Sequence, residues 1–190
     1  DKSVGQKVVS PRLTLTDLPH DPRFSGATAF DSDGVPTRSQ TIVEKGVLTR
    51  HLHDCYSAKR CHATTTGTAG GPFALSLSGG DQSLESIMKS HDQLLMVDRF
   101  SGNSDPIKGD FSGVAKSSRL FQHGKDRGSV TETMIAGNFF AIADAILAVS
   151  KEVEIVSGGF ASPYVLVDGV SVTGESSETI GSITNRGVQK

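Results

Sequence analysis

The stretch Phe100-Ser-Gly-Asn-Ser-Asp-Pro-Ile-Lys-Gly-Asp-Phe-Ser-Gly113 holds three glycines and a proline and is bounded by two Phe-Ser-Gly triplets. Backbone this rich in glycine can turn through positive φ and approach another chain closely, but it offers few side chains to a core. The stretch is therefore expected to be a shaped loop on a rigid scaffold, the setting in which binding residues concentrate. A helical pattern runs into it and a long strand pair runs out of it. The 21 glycines of the 190-residue chain favour turns and strands over long helices throughout.

The pattern around this loop predicts three hairpins. Thr37–Val43 and Val47–Leu52 flank Lys45-Gly46; Val114–Gln122 and Ser129–Ile135 flank the connection His123–Gly128; Tyr164–Val167 and Val170–Val172 flank Asp168-Gly169. Asp-Gly between β-branched runs is a strong short-range hairpin signal. Leu13 and Leu15, alternating with Thr14 and Thr16, predict a short edge strand, and His20 falls in a loop. Two helices are expected to pack on the sheet. One spans Ser83–Val97, with Leu84, Ile87, Met88, His91, Leu94 and Leu95 on one face and His91 hydrogen-bonded in the core. The other spans Phe139–Ser150, capped by Asn138, with Phe139, Ile142, Ala143, Ile146 and Val149 as its apolar stripe. The expected fold is α+β and mostly antiparallel, a curved or barrel-like sheet built from hairpins with two packed helices. One domain covers residues 1–174, followed by a polar tail over 175–190 with the composition of a disordered end.

Composition limits the function classes. A net charge of −2 leaves no electrostatic footprint for nucleic acid. No apolar run approaches the roughly 18 residues of a membrane span. No signal-peptide pattern is read at the start of the sequence, and Asp1 in place of Met suggests a fragment or a processed piece. Two cysteines make no disulfide framework, so a reduced, intracellular protein is the simpler reading.

Chemistry-bearing residues crowd between His51 and His62, where His51, His53, Asp54, Cys55, Cys61 and His62 are all metal-ligand types. The spacing is not that of a closed zinc site. His51 and His53 could seed a metal pair; alternatively they end a strand, with Cys55 and Cys61 as small apolar residues beside a short helical run, Tyr56–Arg60. Asp31-Ser-Asp-Gly34 lacks the later ligands of a calcium loop and reads as a turn. No His-Glu dipeptide, Gly-x-Ser-x-Gly elbow or phosphate loop occurs in the chain. The Phe-Ser-Gly triplets at Phe24, Phe100 and Phe111 are spaced too irregularly to be a repeat.

Six segments in order carry a resemblance. They are Phe30–Thr37, Ile42–Leu48, Leu52–Asp54 with Tyr56–Ala58, Gly109-Asp-Phe-Ser-Gly113, Thr133–Asn138, and Ser162-Pro163 with the following strand pattern. Over residues 5 to 174 the chain resembles the C-terminal domain of the TldD/PmbA family of zinc metalloproteases, which mature small peptides. The resemblance implies a cytoplasmic, hetero-oligomeric enzyme whose paired subunits enclose unfolded peptide, held extended along a sheet edge and cut. In the zinc-bearing subunit it implies an H-E-x-x-x-H helix upstream of this domain and a cysteine near the final strands. This chain has neither: Phe160-Ala-Ser-Pro163 stands where the cysteine loop would be, which is similar to the PmbA-type partner. No catalytic residue or metal ligand is carried over, and zinc is expected in a TldD-type partner subunit. Gly109, Asp110, Phe111, Ser112, Ser162 and Pro163 are the residues expected to meet partner or peptide. Whether the chain is itself an enzyme is left open. The other readings are a non-enzymatic β-rich binding module, matching the family's older label as a DNA gyrase modulator, and a self-contained metal site at His51–His62.

Overall fold

The structure, a computed structural model, describes residues 4–156 and 158–174; the expected polar tail lies outside these residues. The chain divides into two compact units. One takes the residues up to Gln82 together with Ala148–Val165; the other takes Ser83–Leu147 and the chain from Leu166 onward.

The first unit is organised on a six-stranded sheet. In chain order its strands are β1 (Leu15–Asp17), β2 (Gln40–Glu44), β3 (Val47–Leu48) and β4 (Leu75–Leu77), with β11 (Ile146–Val156) and β12 (Phe160–Val167) returning later; their order across the sheet is β11-β12-β4-β1-β2-β3. A single helical turn and a half, α1 (Cys55–Arg60), follows β3. Phe24, Ala74 and Ala161, with Leu18 against them, form the core cluster. The β2–β3 hairpin closes as the sequence predicts. Lys45 and Gly46 adopt φ of 46° and 81°, the paired positive values of a two-residue turn whose twist matches its strands. β1 is not the predicted edge. It is paired antiparallel on both sides, to β2 and to β4. The pairing of β12 with β4 is parallel, so the sheet is mixed.

The second unit carries two smaller sheets. A four-stranded sheet has the order β13-β10-β7-β6, built from β6 (Arg99–Ser104), β7 (Asp110–Lys116), β10 (Met134–Asn138) and β13 (Ser171–Thr173). A three-stranded sheet has the order β5-β8-β9, built from β5 (Gln93–Met96), β8 (Ser118–Gln122) and β9 (Lys125–Val130). Among the described residues the pairings of both are antiparallel. Two helices, α2 (Leu84–Lys89) and α3 (Phe139–Asp144), complete the unit. The α+β, mostly antiparallel class is therefore correct. The strands, however, are shared among three open sheets, and none closes into a barrel among the described residues.

Both predicted helices are real at their starts and wrong at their ends. Ser83 caps α2 through its Oγ, which accepts from Ser86 N–H at 3.2 Å. The helix stops at Ser90, whose hydroxyl donates to Ile87 O at 2.8 Å. Leu94 and Leu95 then enter β5 opposite Phe121 and Leu120. His91, predicted to be a core histidine, lies just past the helix, half-buried, with Nδ1 2.8 Å from Ser90 Oγ. Likewise Asn138 caps α3, but the helix ends at Asp144 and Ile146 begins β11. Ile146 and Val149 are buried as strand residues, whereas Phe139 is 59% exposed.

The other two predicted hairpins are also redrawn. His123 and Gly124, with φ of 48° and 73°, make a two-residue turn between β8 and β9, so β9 starts at Lys125. Ser117, at φ 54°, splits the run Val114–Gln122 into β7 and β8. Asp168-Gly169 turns the chain, with Gly169 at φ 80°, but β12 and β13 belong to different sheets and do not pair as a hairpin. No helix of the described residues is long and apolar enough to cross a membrane.

Candidate functional site

The glycine-rich stretch resolves into a strand, a five-residue loop and a second strand. β6 ends at Ser104, and Asp105 then organises the turn. Its Oδ1 accepts from Ile107 N–H at 2.8 Å and Lys108 N–H at 3.0 Å, and its carbonyl accepts from Gly109 N–H at 2.7 Å. The Lys108 and Ile107 amides hold the Asp105 carboxyl below the usual carboxylate range. Gly109 has φ 82°, and a Cβ there would lie 2.5 Å from the Phe140 ring. Glycine is thus required both by conformation and by space.

Asn138 ties this loop to the start of α3. Its Nδ2 donates to Lys108 O and to Asp110 Oδ1, both at 2.8 Å. Its Oδ1 accepts from Phe140 and Ala141 N–H at 3.1 and 3.2 Å. Phe139 N–H adds a 2.7 Å bond to Gly109 O. Every polar atom of the Asn138 amide is used, so loop and helix start move as one piece. What the piece presents outward is apolar: Ile107 is 87% exposed and Phe140 53%, with Phe139 and Phe140 edge to face at 6.0 Å. Sequence reasoning found Asn138 as a cap but not as a clamp. The signal was the Asp105-x-x-x-Gly109 spacing, which marks an Asp-started turn closed by glycine.

Of the predicted contact residues, Asp110, Phe111 and Ser112 lie on β7, which pairs with β6 on one side and β10 on the other. Both ladder sides of β7 are taken, so an extended guest cannot pair with it directly. Next to β7 the sheet ends in β6, all six of whose residues are exposed. Phe111 stacks edge to face on Phe100 at 5.7 Å. Between them Gly102 and Gly113 face each other across the ladder, and a Cβ on either would come within 2.5 Å of the opposite backbone. Ser162 and Pro163 lie in the other unit, on β12, with Pro163 buried. The Ser162 hydroxyl donates to Pro163 O at 2.9 Å. The neighbouring Tyr164 N–H donates to the buried Ser150 Oγ at 2.9 Å.

The His51–His62 cluster is spread along irregular chain and α1. The His51 and His53 rings are 6.2 Å apart and tilted 55°. Asp54 is the α1 N-cap, accepting from Ser57 N–H at 2.6 Å, and the Ser57 hydroxyl and amide hold its carboxyl low. Cys55 and Cys61, read as small apolar residues where they bind no metal, are both exposed. Asp33 beside Cys55 pushes that thiol up, away from a reactive thiolate. Asp31, the start of the calcium-like tetrapeptide, spends its carboxylate on Asp33, Val35 and Ala69 N–H groups at 3.0, 2.8 and 3.0 Å. Burial works to raise that carboxyl, but the three amides outweigh it and hold it low. Among the described residues no three His, Cys, Asp or Glu side chains are placed to hold a metal ion.

Comparison with known proteins agrees with this architecture. Residues 1–174 match the PmbA/TldA metallopeptidase C-terminal domain. The chain is 31% identical over 153 residues to the metalloprotease PmbA of Escherichia coli O157:H7, covering 80% of this chain and 34% of that protein. A Thermotoga maritima protein, solved as a candidate modulator of a DNA gyrase, superposes with a TM-score of 0.83 at 31% identity, covering 90% of this chain and 41% of its own. TldE from Thermococcus kodakarensis superposes at 0.82 with 28% identity, covering 91% and 42%. The chain therefore spans well under half the length of the relatives it matches. With the match running through both units and all six resembling segments, this chain belongs to the PmbA/TldD metallopeptidase family, as its C-terminal domain.

Proposed function

We propose that the chain is the C-terminal part of a PmbA-type (TldE-type) subunit of a cytoplasmic metalloprotease complex that processes unfolded peptides. In this reading it shapes the chamber and binds partner and peptide, and a TldD-type subunit carries the zinc. The zinc chemistry, in which a bound water becomes nucleophilic near neutral pH, then belongs to that partner. The observation that carries the proposal is the Phe160–Pro163 segment: where a zinc-bearing subunit would offer a cysteine, this chain has a serine bonded to its own neighbour's carbonyl and a buried proline. The spending of Asp31, Asp54 and Asp105 on backbone amides supports the same view. The exposed end strand β6 supports peptide capture by strand addition, which uses main-chain hydrogen bonds and demands little of the side chains.

The test is reconstitution. The full-length protein alone is expected to leave an unfolded peptide intact, and mixing it with a TldD-type subunit is expected to produce cleavage that a chelator abolishes. Cleavage by the protein alone in the presence of a chelator would end the proposal. Recovery of gyrase, with no zinc-bearing homologue, on co-purification would favour the binding-module reading instead.

A further inference from the structure

The tripeptide Asp-Gly-Val occurs twice in the chain, at Asp33-Gly34-Val35 and at Asp168-Gly169-Val170. In an Asp-Gly pair the amide nitrogen of the glycine can attack the aspartyl Cγ, because glycine has no side chain to crowd that nitrogen. Both copies are exposed, so access to solvent does not separate them. What separates them is whether the fold leaves the nitrogen and the carboxyl free to meet.

At the first copy both reacting groups are committed elsewhere. Gly34 N–H donates to Asp31 O at 3.0 Å, and Asp33 Oδ2 accepts from Cys55 N–H at 2.9 Å. Asp33 N–H in turn donates to Asp31 Oδ1 at 3.0 Å. Carboxyl, amide and main chain are each pinned to a partner outside the pair. At the second copy the two groups face each other. Gly169 N–H donates to Asp168 Oδ1 at 2.7 Å, which sets the nitrogen beside Cγ and aims its proton at a carboxyl oxygen. Gly169 has φ 80°, and a Cβ on it would meet nothing within 4 Å, so a five-membered ring has room to close. Holding reacting atoms in near-attack contact raises a rate by orders of magnitude.

We propose that Asp168-Gly169 is a site of spontaneous isoaspartate formation and that the fold protects Asp33-Gly34 from the same reaction. With the Asp168 carboxyl in its acid form, the Gly169 nitrogen bonds to Cγ. The amide proton and the carboxyl hydroxyl leave together as one water, and the product is a cyclic imide. A second water opens the ring. Attack at Cγ restores aspartate; attack at the main-chain carbonyl carbon leaves the chain running through the side chain, with a free α-carboxylate. The net change is an isomerisation that needs no reagent but water. It inserts one methylene into the main chain just ahead of β13, which pairs with β10 through Ser171, Val172 and Thr173. The new α-carboxylate is the group that isoaspartyl-directed carboxyl methyltransferases esterify, so the aged protein becomes a substrate for that class of enzyme.

The experiment is incubation of the full-length protein at neutral pH and body temperature in water labelled with heavy oxygen, then digestion in ordinary water and peptide mapping. Each ring opening writes one heavy oxygen into the peptide, and isoaspartate is read by methyl transfer from S-adenosylmethionine with a purified isoaspartyl methyltransferase. The peptide carrying Asp168 is expected to gain label and isoaspartate at least about tenfold faster than the peptide carrying Asp33. In urea the two are expected to react at similar rates, since their tripeptides are identical. Gly169→Ala, which crowds the nitrogen, is expected to slow labelling at Asp168 by at least about tenfold. Should that variant fail to fold, the comparison of the two copies within the parent decides the matter by itself. Equal rates at the two sites in the folded protein overturn the proposal, as does a contrast that survives in urea.

Discussion

The Asn138 clamp and the His51–His62 segment are both dense in polar side chains, and they use them in opposite ways. In the clamp, the Asp105 and Asn138 side chains bond main-chain groups and Asp110, and the result is a rigid loop that displays Ile107, Phe139 and Phe140. In the His51–His62 segment the ligand-type side chains diverge. Asp54 caps a helix, the cysteines face solvent, and the two imidazoles tilt apart. Crowding in sequence is thus a poor guide to convergence in space. Backbone bonding by one or two side chains builds a more defined surface than six potential ligands do.

Substitutions can break or sharpen that contrast. Gly109→Val is expected to have the largest effect, about 2–3 kcal/mol of destabilisation, because a β-branched residue must then sit at φ 82° and displace the Phe140 ring. Chemical denaturation measures it; a loss below about 0.5 kcal/mol, the range of ordinary surface changes, would show that the loop is not locked. Asn138→Ala is expected to cost about 1–2 kcal/mol by removing the α3 cap and both bonds to the loop. Proteolysis should then cut first between Asp105 and Gly109, and unchanged cleavage there would refute the clamp.

Asp105→Asn tests the same loop through pH. The Asp105 carboxyl is held low in the folded state. Its stabilisation is therefore full above the unfolded carboxylate pKa and is lost as pH falls through the lower folded value. The variant should melt below the parent at neutral pH and converge with it in acid; a constant gap across the pH range would contradict the assignment. The smallest effect is expected on the other side of the comparison. His53→Ala should leave the zinc content of the purified protein unchanged, as read by elemental analysis, because the imidazoles do not converge with other ligands. Metal lost on that substitution would revive the self-contained metal site.

Much of the local structure was legible in the residues. Lys45-Gly46 announces a tight turn because glycine accepts positive φ at no steric cost, and the structure has that turn. Ser83 and Asn138 announce helix starts because a side-chain oxygen must meet amides that no earlier turn can satisfy. The family was legible too, since its short segments keep their order within residues 1–174. The stretch Phe100–Gly113 stood out by its glycines, although the rigidity of its loop, Asp105–Gly109, did not, because that depends on Asn138 nearly thirty residues away.

What the sequence alone determined, then, is where the chain turns, where helices start and which family it joins, all properties of neighbouring residues. Tertiary structure decided how long each helix runs, which strand is an edge and which turn closes a hairpin. Leu94, Leu95 and Ile146 satisfy a helical stripe and a buried strand equally well, and the waiting partner strand settles the choice. Asp17 looks like the end of an exposed edge until β4 closes over it, and Asp168-Gly169 looks like a hairpin until β10 captures β13. The physical reason is common to all three: backbone dihedrals are local, but a strand's hydrogen bonds and burial are supplied by segments distant in the chain.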